Sequence, residues 1–410
     1  MDRAALEGWQ LERLNRLLAT ILPHNRLYAE KLAGVSLPLK SLGELARLPY
    51  TFKEDLLAHD GQGFAANLTW PVERYVRYHR TSGTHGRPLV VLDTAEDWLW
   101  WLETWQYVLD AAAMTPADRV LMAFSFGPFI GFWSANDACI ERGALVIPSG
   151  GLSTLARLEL MKSSRATVVF TTPSYALHMA EVGQSHGIRP DQLDVSRIIV
   201  AGEPGGSVPA IRERIETAWQ ARVIDHAGAS EVGPWGFADA QQRGLRIIET
   251  SFLAEFISVE TGQPATAGQL SELVLTTLGR AGSPVLRYRT GDLVRPTWPD
   301  DADNRFVLLE GGVLGRSDDM LVIRGVNIFP SAIEQILLSF PEVVEWRMTA
   351  HKQGEMDALF VEIEDRLHDP HRVAQELLLR LGLKVEVQCV ELGSLPRFEG
   401  KGKRFVDQRR

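Results

Sequence analysis

Residues 197–233 read RIIVAGEPGGSVPAIRERIETAWQARVIDHAGASEVG, and this stretch decides the fold class. A short β-branched run, Ile198-Ile199-Val200, breaks at Ala201-Gly202-Glu203-Pro204-Gly205-Gly206. A helical stretch from Pro209 to Trp219 follows, and a second apolar run, Val223-Ile224, ends in Asp225-His226-Ala227-Gly228-Ala229-Ser230-Glu231-Val232-Gly233. Strand, glycine loop, helix and strand in that order form the repeating unit of a parallel sheet covered on both faces. Loops that leave such strands are where α/β sheets bind ligands.

The same rhythm extends toward the N-terminus through Val120-Leu121-Met122-Ala123-Phe124, Leu145-Val146-Ile147 and Thr167-Val168-Val169-Phe170. It predicts a large α/β domain whose sheets are mostly parallel. The first 75 residues or so predict a helical lead-in. There Leu6, Trp9, Leu14, Leu17, Leu18 and Ile21 recur at helical spacing, Pro23 ends the helix, and Ser41-Leu42-Gly43-Glu44 has the form of a capping box. After residue 250 the strand candidates crowd together, as in Glu272-Leu273-Val274-Leu275 and Phe306-Val307-Leu308-Leu309, which suits a barrel-like subdomain. A polar loop from Trp298 to Arg305 and the segment Gly315-Arg316-Ser317-Asp318-Asp319 suggest a domain boundary, giving 1–316 and 317–410. The second part, with helical patterns at Ser331–Phe340 and His371–Leu381, predicts a small α+β domain.

Composition narrows the function. A net charge of −9 argues against a nucleic-acid binder, which needs a basic face. Two widely separated cysteines, Cys139 and Cys389, supply neither a disulfide framework nor a cysteine-rich zinc site. The opening MDRAALEGWQLERLNRLL is charged and amphipathic, and no run approaches the ~18 apolar residues of a membrane span. The expectation is a cytoplasmic protein with no membrane partner.

Several segments carry chemistry. Thr81-Ser82-Gly83-Thr84-His85-Gly86-Arg87-Pro88 combines glycines, hydroxyls and a cation, the ingredients of a phosphate cradle. Alone, such a loop is more often a plain turn. The Gly202-Glu203-Pro204 loop and the Asp225–Gly233 segment follow strands; Arg287-Tyr288-Arg289-Thr290-Gly291-Asp292 offers a carboxylate after a glycine turn, suited to a ribose diol. The tail Arg397-Phe398-Glu399-Gly400-Lys401-Gly402-Lys403-Arg404 is basic and glycine-rich.

The order and spacing of these segments resemble the adenylate-forming superfamily of acyl-CoA synthetases, adenylation domains and luciferases. Within it the chain resembles the phenylacetate–CoA ligase branch, from Leu48-Pro49-Tyr50-Thr51-Phe52-Lys53-Glu54-Asp55-Leu56 through GRSDDMLVIRGVNIFPSAIE, residues 315–334, to the tail. The resemblance implies ATP-dependent adenylation of a carboxylic acid, expected to be aromatic, followed by transfer to coenzyme A. It assigns the β- and γ-phosphates to Ser82, Gly83, Thr84, Gly86 and Arg87, with Thr84 also catalytic. It assigns Mg²⁺ to Glu231, the ribose to Asp292 and Arg316, and charge stabilisation at the α-phosphate to Lys401. Asp318 matches the hinge of a mobile small domain, and Gly325 the face that meets CoA. Gly202, Glu203, Pro204, Asp225, His226, Gly228, Ala229 and Ser230 complete the nucleotide site.

Two departures stand out. Arg87 replaces the usual lysine, and Ala227 sits where many relatives carry an aromatic that stacks on adenine; His226 or another ring could take that place, and Asp225 could accept from the adenine amino group. The acid pocket is assigned to Phe126, Phe129, Tyr175 and Trp235, set against the alternative that each simply packs in the core. No zinc is expected, since residues 238–250 lack cysteine and histidine. A homodimer is expected from the resemblance alone. The competing functions are an adenylate-forming enzyme with another acceptor (a carrier-protein thiol, an amine, or a hydroxyl that takes AMP) and, more remotely, a non-catalytic nucleotide-binding regulator.

Overall fold

The computed structural model describes residues 2–57, 63–81, 88–299, 304–317, 319, 321–323, 326–353, 356–397 and 404–409. A nine-stranded sheet runs through the large part of the chain. Its order is Pro296–Thr297, Leu308–Glu310, Gly244–Ile247, Gly233–Ala238, Arg222–Ala229, Arg197–Val200, Val168–Thr171, Arg119–Met122, Leu145–Pro148. The last five in this order pair in parallel and the other four join antiparallel, so the sheet is mixed. The parallel expectation therefore holds for the strands joined by helices and stops at Ala229, where the chain turns back on itself after Glu231.

Strand alternation sorts the core. Val168, Phe170, Ile199 and Ile224 face the helices Ala95–Ala111 and Ile130–Glu141. Their neighbours Val169, Ile198, Val200 and Val223 face the helices Thr154–Ser164, Pro173–Ser185 and Pro209–Trp219. Successive side chains of a strand point to opposite faces, and both faces here are covered by helices, which is why these strands read as unbroken apolar runs.

The lead-in helix Arg3–Ile21 is capped by Asp2, whose carboxylate accepts the Ala5 N–H at 2.8 Å, and it packs on Leu253, Leu278 and Leu286. Trp9 departs from the expected apolar stripe: it is half-exposed and its Nε1 donates to the Thr250 carbonyl. The capping box at Ser41 does not form. Residues Leu42–Arg47 are a 3₁₀ helix, and Glu44 accepts from the Lys40 N–H instead. A second, four-stranded antiparallel sheet orders as Phe252–Ser258, Ser271–Thr277, Tyr288–Val294 and Gly315–Arg316.

Beyond residue 316, helices Pro330–Leu338 and Pro370–Leu381 cover a four-stranded sheet around a separate core that includes Ile333, Met348, Val361 and Leu377. This part touches the large one through the Arg366–Glu181 ion pair at 3.2 Å. Arg214 also donates to the Leu338 carbonyl at 2.7 Å, and Ser331 Oγ to the Leu314 carbonyl at 3.0 Å. Among the described residues no helix is long and apolar enough to cross a membrane.

Candidate active site

The site collects at the ends of the strands Arg197–Val200 and Arg222–Ala229, which neighbour each other in the sheet. The 201–206 loop is glycine-rich because its neighbours leave no room. A Cβ on Gly206 would stand 2.6 Å from the Asp225 carboxyl carbon, and one on Gly205 would stand 2.5 Å from Pro173. Gly202 has a φ of +93°, a region that favours glycine. Glu203 accepts from the Ser174 N–H at 2.7 Å, so its carboxylate serves the N-terminus of the helix Pro173–Ser185. Pro204 is half-buried in the same loop.

Asp225 is held by Ser207 Oγ, which donates to its Oδ2, and by the His226 N–H at 3.0 Å. Gly312 closes over the same carboxylate; a Cβ there would stand 2.8 Å from Ser207. Burial pushes the Asp225 carboxyl up to about 6, against the lowering effect of its hydrogen bonds. A carboxyl raised this way favours the folded state below its ordinary range, and that contribution is lost as pH rises through about 6. A donor such as the adenine amino group stabilises the ionised form and so binds more tightly above that pH. Adenosine affinity is accordingly expected to climb from pH 5 to 7 and level off, and Asp225→Asn to flatten that rise. Fluorescence or calorimetric titration with adenosine measures both, and a flat profile in the unmodified protein would remove Asp225 from the adenine site.

His226 points the other way. Its ring packs against Trp105 with centroids 4.2 Å apart, on the face opposite Asp225, and its Nδ1 lies 2.8 Å from the Gly236 carbonyl. Alternation along the strand forces this separation, so His226 does not replace the missing adenine-stacking ring. Gly228 is exposed and Ala229 half-buried at the strand's end. Ser230 and Glu231 form the turn after it, and their carbonyls accept from Arg280 Nη1 at 2.9 and 3.0 Å. The Glu231 carboxylate lies 3.5 Å from Lys53 Nζ.

Asp292 and Arg316 come together as expected. They face each other across paired strands, with Nη1 and Oδ1 3.3 Å apart. The buried Tyr288 phenol lies within the field of this pair and of Glu231. Burial raises its pKa well above the ordinary range, the Glu231 charge adds to the rise, and Arg316 opposes it.

The strands flanking residues 82–87 pair as an antiparallel hairpin closed by the Thr81–Leu89 hydrogen bonds. Ser82, Gly83, Thr84, Gly86, Arg87, Asp318, Gly325 and Lys401 lie outside the described residues.

The four acid-pocket candidates divide. Phe126 packs on Trp133 at 4.8 Å, and Phe129 is 42% exposed at the edge of the same aromatic cluster, in which Phe124 and Phe132 stack at 4.0 Å. Tyr175 belongs elsewhere: it sits in the core on the opposite face of the sheet, bonded to Thr154 and Arg157. Trp235 is enclosed in the core and offers no open face. The causes differ: Tyr175 occupies the other face of the sheet, whereas Trp235 shares the core of the aromatic cluster and is closed off by burial. Lys53, Arg280, Ser207 and Trp105 were missed. Lys53 lies in a segment already noted for its resemblance, and the other three carry no local signal.

Residues 325–409 match the family model described as the AMP-binding enzyme C-terminal domain. The phenylacetate-coenzyme A ligase of Thermus thermophilus is 32% identical, covering 100% of this chain and 98% of that protein. The phenylacetate-coenzyme A ligase of Pseudomonas putida is 32% identical, covering 99% and 94%. Among solved structures, a 2-hydroxyisobutyryl-CoA ligase in the postadenylation state with 2-HIB-AMP superposes with a TM-score of 0.92 at 25% identity, covering 100% of this chain and 91% of that one. The same ligase in its thioesterification state, with 2-HIB-AMP and CoA, gives 0.75 at 26% identity over 100% and 91%. Fold and site together define an adenylate-forming acid–thiol ligase, working through an acyl-AMP. The chain belongs to the phenylacetate–coenzyme A ligase family of that class. The superposition is closer with the first of those two structures than with the second.

Proposed function

We propose that this enzyme adenylates an aromatic carboxylic acid with ATP and passes the acyl group to coenzyme A. The observation that supports the reading is the Asp292–Arg316 pair across adjoining strands, whose charges act together with that of Glu231 on the buried Tyr288 phenol although the segments lie far apart in sequence. In the first step the acid's carboxylate attacks the α-phosphorus, the bond to the β-phosphate oxygen breaks, and pyrophosphate leaves. In the second, the CoA thiol attacks the acyl carbon and AMP leaves. Both partners in the first step are anionic, so catalysis rests on alignment and charge neutralisation. Asp225 orients adenine and Asp292 with Arg316 the ribose. Ser82 to Arg87 hold the β- and γ-phosphates, with Thr84 among the catalytic groups. Lys401 places a cation between carboxylate and α-phosphate.

Glu231 fits a magnesium ion: it is an oxygen donor in the turn after the strand, and its ion-pair partner among the described residues, Lys53, stands 3.5 Å away. Bound there with the phosphates, the ion would neutralise charge on the nucleotide. Glu231→Gln is expected to slow pyrophosphate release and to move the Mg²⁺ titration to higher concentration. An unchanged titration would make Glu231 a structural residue.

Division at 316/317, with rotation about Asp318 bringing Gly325 to CoA, is supported by the separate core beyond residue 320 and by the family match over 325–409. The four-stranded antiparallel sheet from Phe252 to Arg316 is where a barrel-like subdomain would lie. Free thiols at Cys139 and Cys389 suit a reducing cytoplasm. The deciding experiment is a pyrophosphate-release screen over benzoates, phenylacetates, cinnamates and short aliphatic acids, with and without CoA. Aromatic acids should dominate and CoA should raise turnover. A preference for aliphatic acids overturns the substrate class, and indifference to CoA overturns the acceptor.

A further inference from the structure

Resting on that ligase reading, and sharpening its substrate, we propose that the acid pocket takes an aromatic acid whose ring bears a hydrogen-bond donor, a hydroxyl or an amino group. His226 Nε2 would be the acceptor.

The protonation state of His226 follows from its surroundings. Nδ1 lies 2.8 Å from the Gly236 carbonyl, and a carbonyl can only accept, so Nδ1 carries the hydrogen. Burial holds the imidazole pKa down near 4, so the ring is neutral at working pH. A neutral ring with its hydrogen on Nδ1 presents a bare lone pair at Nε2.

Among the described residues that lone pair has no partner. The residue is 7% exposed, yet Nε2 makes no hydrogen bond to any described residue and is not one of the fully occluded unpaired atoms. Its direction is marked by Gly228: a Cβ built there would lie 3.4 Å from Nε2, with the Gly233 carbonyl oxygen at 3.0 Å and Pro234 Cα at 3.2 Å, and Gly228 itself is exposed. Nε2 therefore points toward the open end of the strand. Trp105 covers the ring and spends its own Nε1 on Ser134. Gly228 is the next residue on the His226 side of the strand and carries no side chain, so the strand itself does not fill the space beside Nε2.

A single buried acceptor discriminates by what it lacks when unpaired. A ring without a donor strips water from Nε2 and returns nothing, whereas a correctly placed hydroxyl or amine restores the bond. The expected preference is about tenfold or more in kcat/KM.

The test measures pyrophosphate release for benzoate and phenylacetate against their 2-, 3- and 4-hydroxy, amino and methoxy derivatives. At least one hydroxy or amino isomer should exceed its parent by about tenfold, while the methoxy analogue, similar in size but without a donor, should not. The relative rates of hydroxy and amino isomers identify which donor the site takes. In His226→Leu the ratio of donor-bearing to parent acid should fall to near one. His226→Gln, which can bring an amide oxygen near the place of Nε2, should recover part of it. Parents that match every donor-bearing isomer, a methoxy analogue as good as the hydroxyl, or a ratio unmoved in His226→Leu would each overturn the proposal. Should the leucine variant fail to fold, the wild-type panel decides alone. No release with any acid would instead overturn the ligase reading on which this rests, a result distinct from activity without donor preference.

Discussion

Arg280→Met is expected to destabilise the protein by about 3–5 kcal/mol and to suppress adenylate formation in whatever fraction still folds. The Arg280 guanidinium is wholly buried and 2.7 Å from Asp93, which is equally buried. Trp101 Nε1 also donates to Asp93, at 3.1 Å, and Asp97 lies close enough that the Asp93 charge adds to the burial raising its carboxyl. Removing the arginine leaves an uncompensated carboxylate in the core, which is the costly way to break a buried pair. The same guanidinium grips the carbonyls of Ser230 and Glu231, so it also fixes the turn that aims the candidate magnesium ligand. Urea unfolding checks the first effect and pyrophosphate exchange the second. The double change Arg280→Met with Asp93→Asn separates them: it should recover much of the stability, since no charge is stranded, but little of the exchange rate. Full recovery of both would reduce Arg280 to a structural residue.

Lys401→Ala is expected to lower adenylate formation by about 10²-fold or more while sparing thioester formation from supplied acyl-AMP. The tail is anchored just beyond this lysine. Arg404 is buried against Glu345, and Phe405–Asp407 pairs in parallel with Val343–Gln353. A lysine carried on a mobile small domain would serve the first half-reaction and be withdrawn for the second, which is what this variant tests. Lys403→Ala should be milder. Equal loss of both half-reactions in the Lys401 variant would refute its role, and rapid-quench measurement of each half-reaction distinguishes the outcomes.

The sequence by itself determined the class of fold and the order of the site segments. Short apolar runs must be strands buried on both faces, and a glycine loop after such a strand has few other uses. Asp292 and Arg316 could be paired in advance because their motifs carry them. What only tertiary structure decided is the facing of each group. One step along a strand reverses a side chain, so Asp225 and His226, adjacent in sequence, serve opposite faces of the sheet. Tyr175, with a local sequence that suits a pocket wall, lies behind the sheet. Arg280 supports Glu231 from 49 residues away, a distance over which no local pattern carries information. Spacing along the chain reports what a segment can become; which groups meet is set by the packing of faces, because burial and hydrogen bonding act through space.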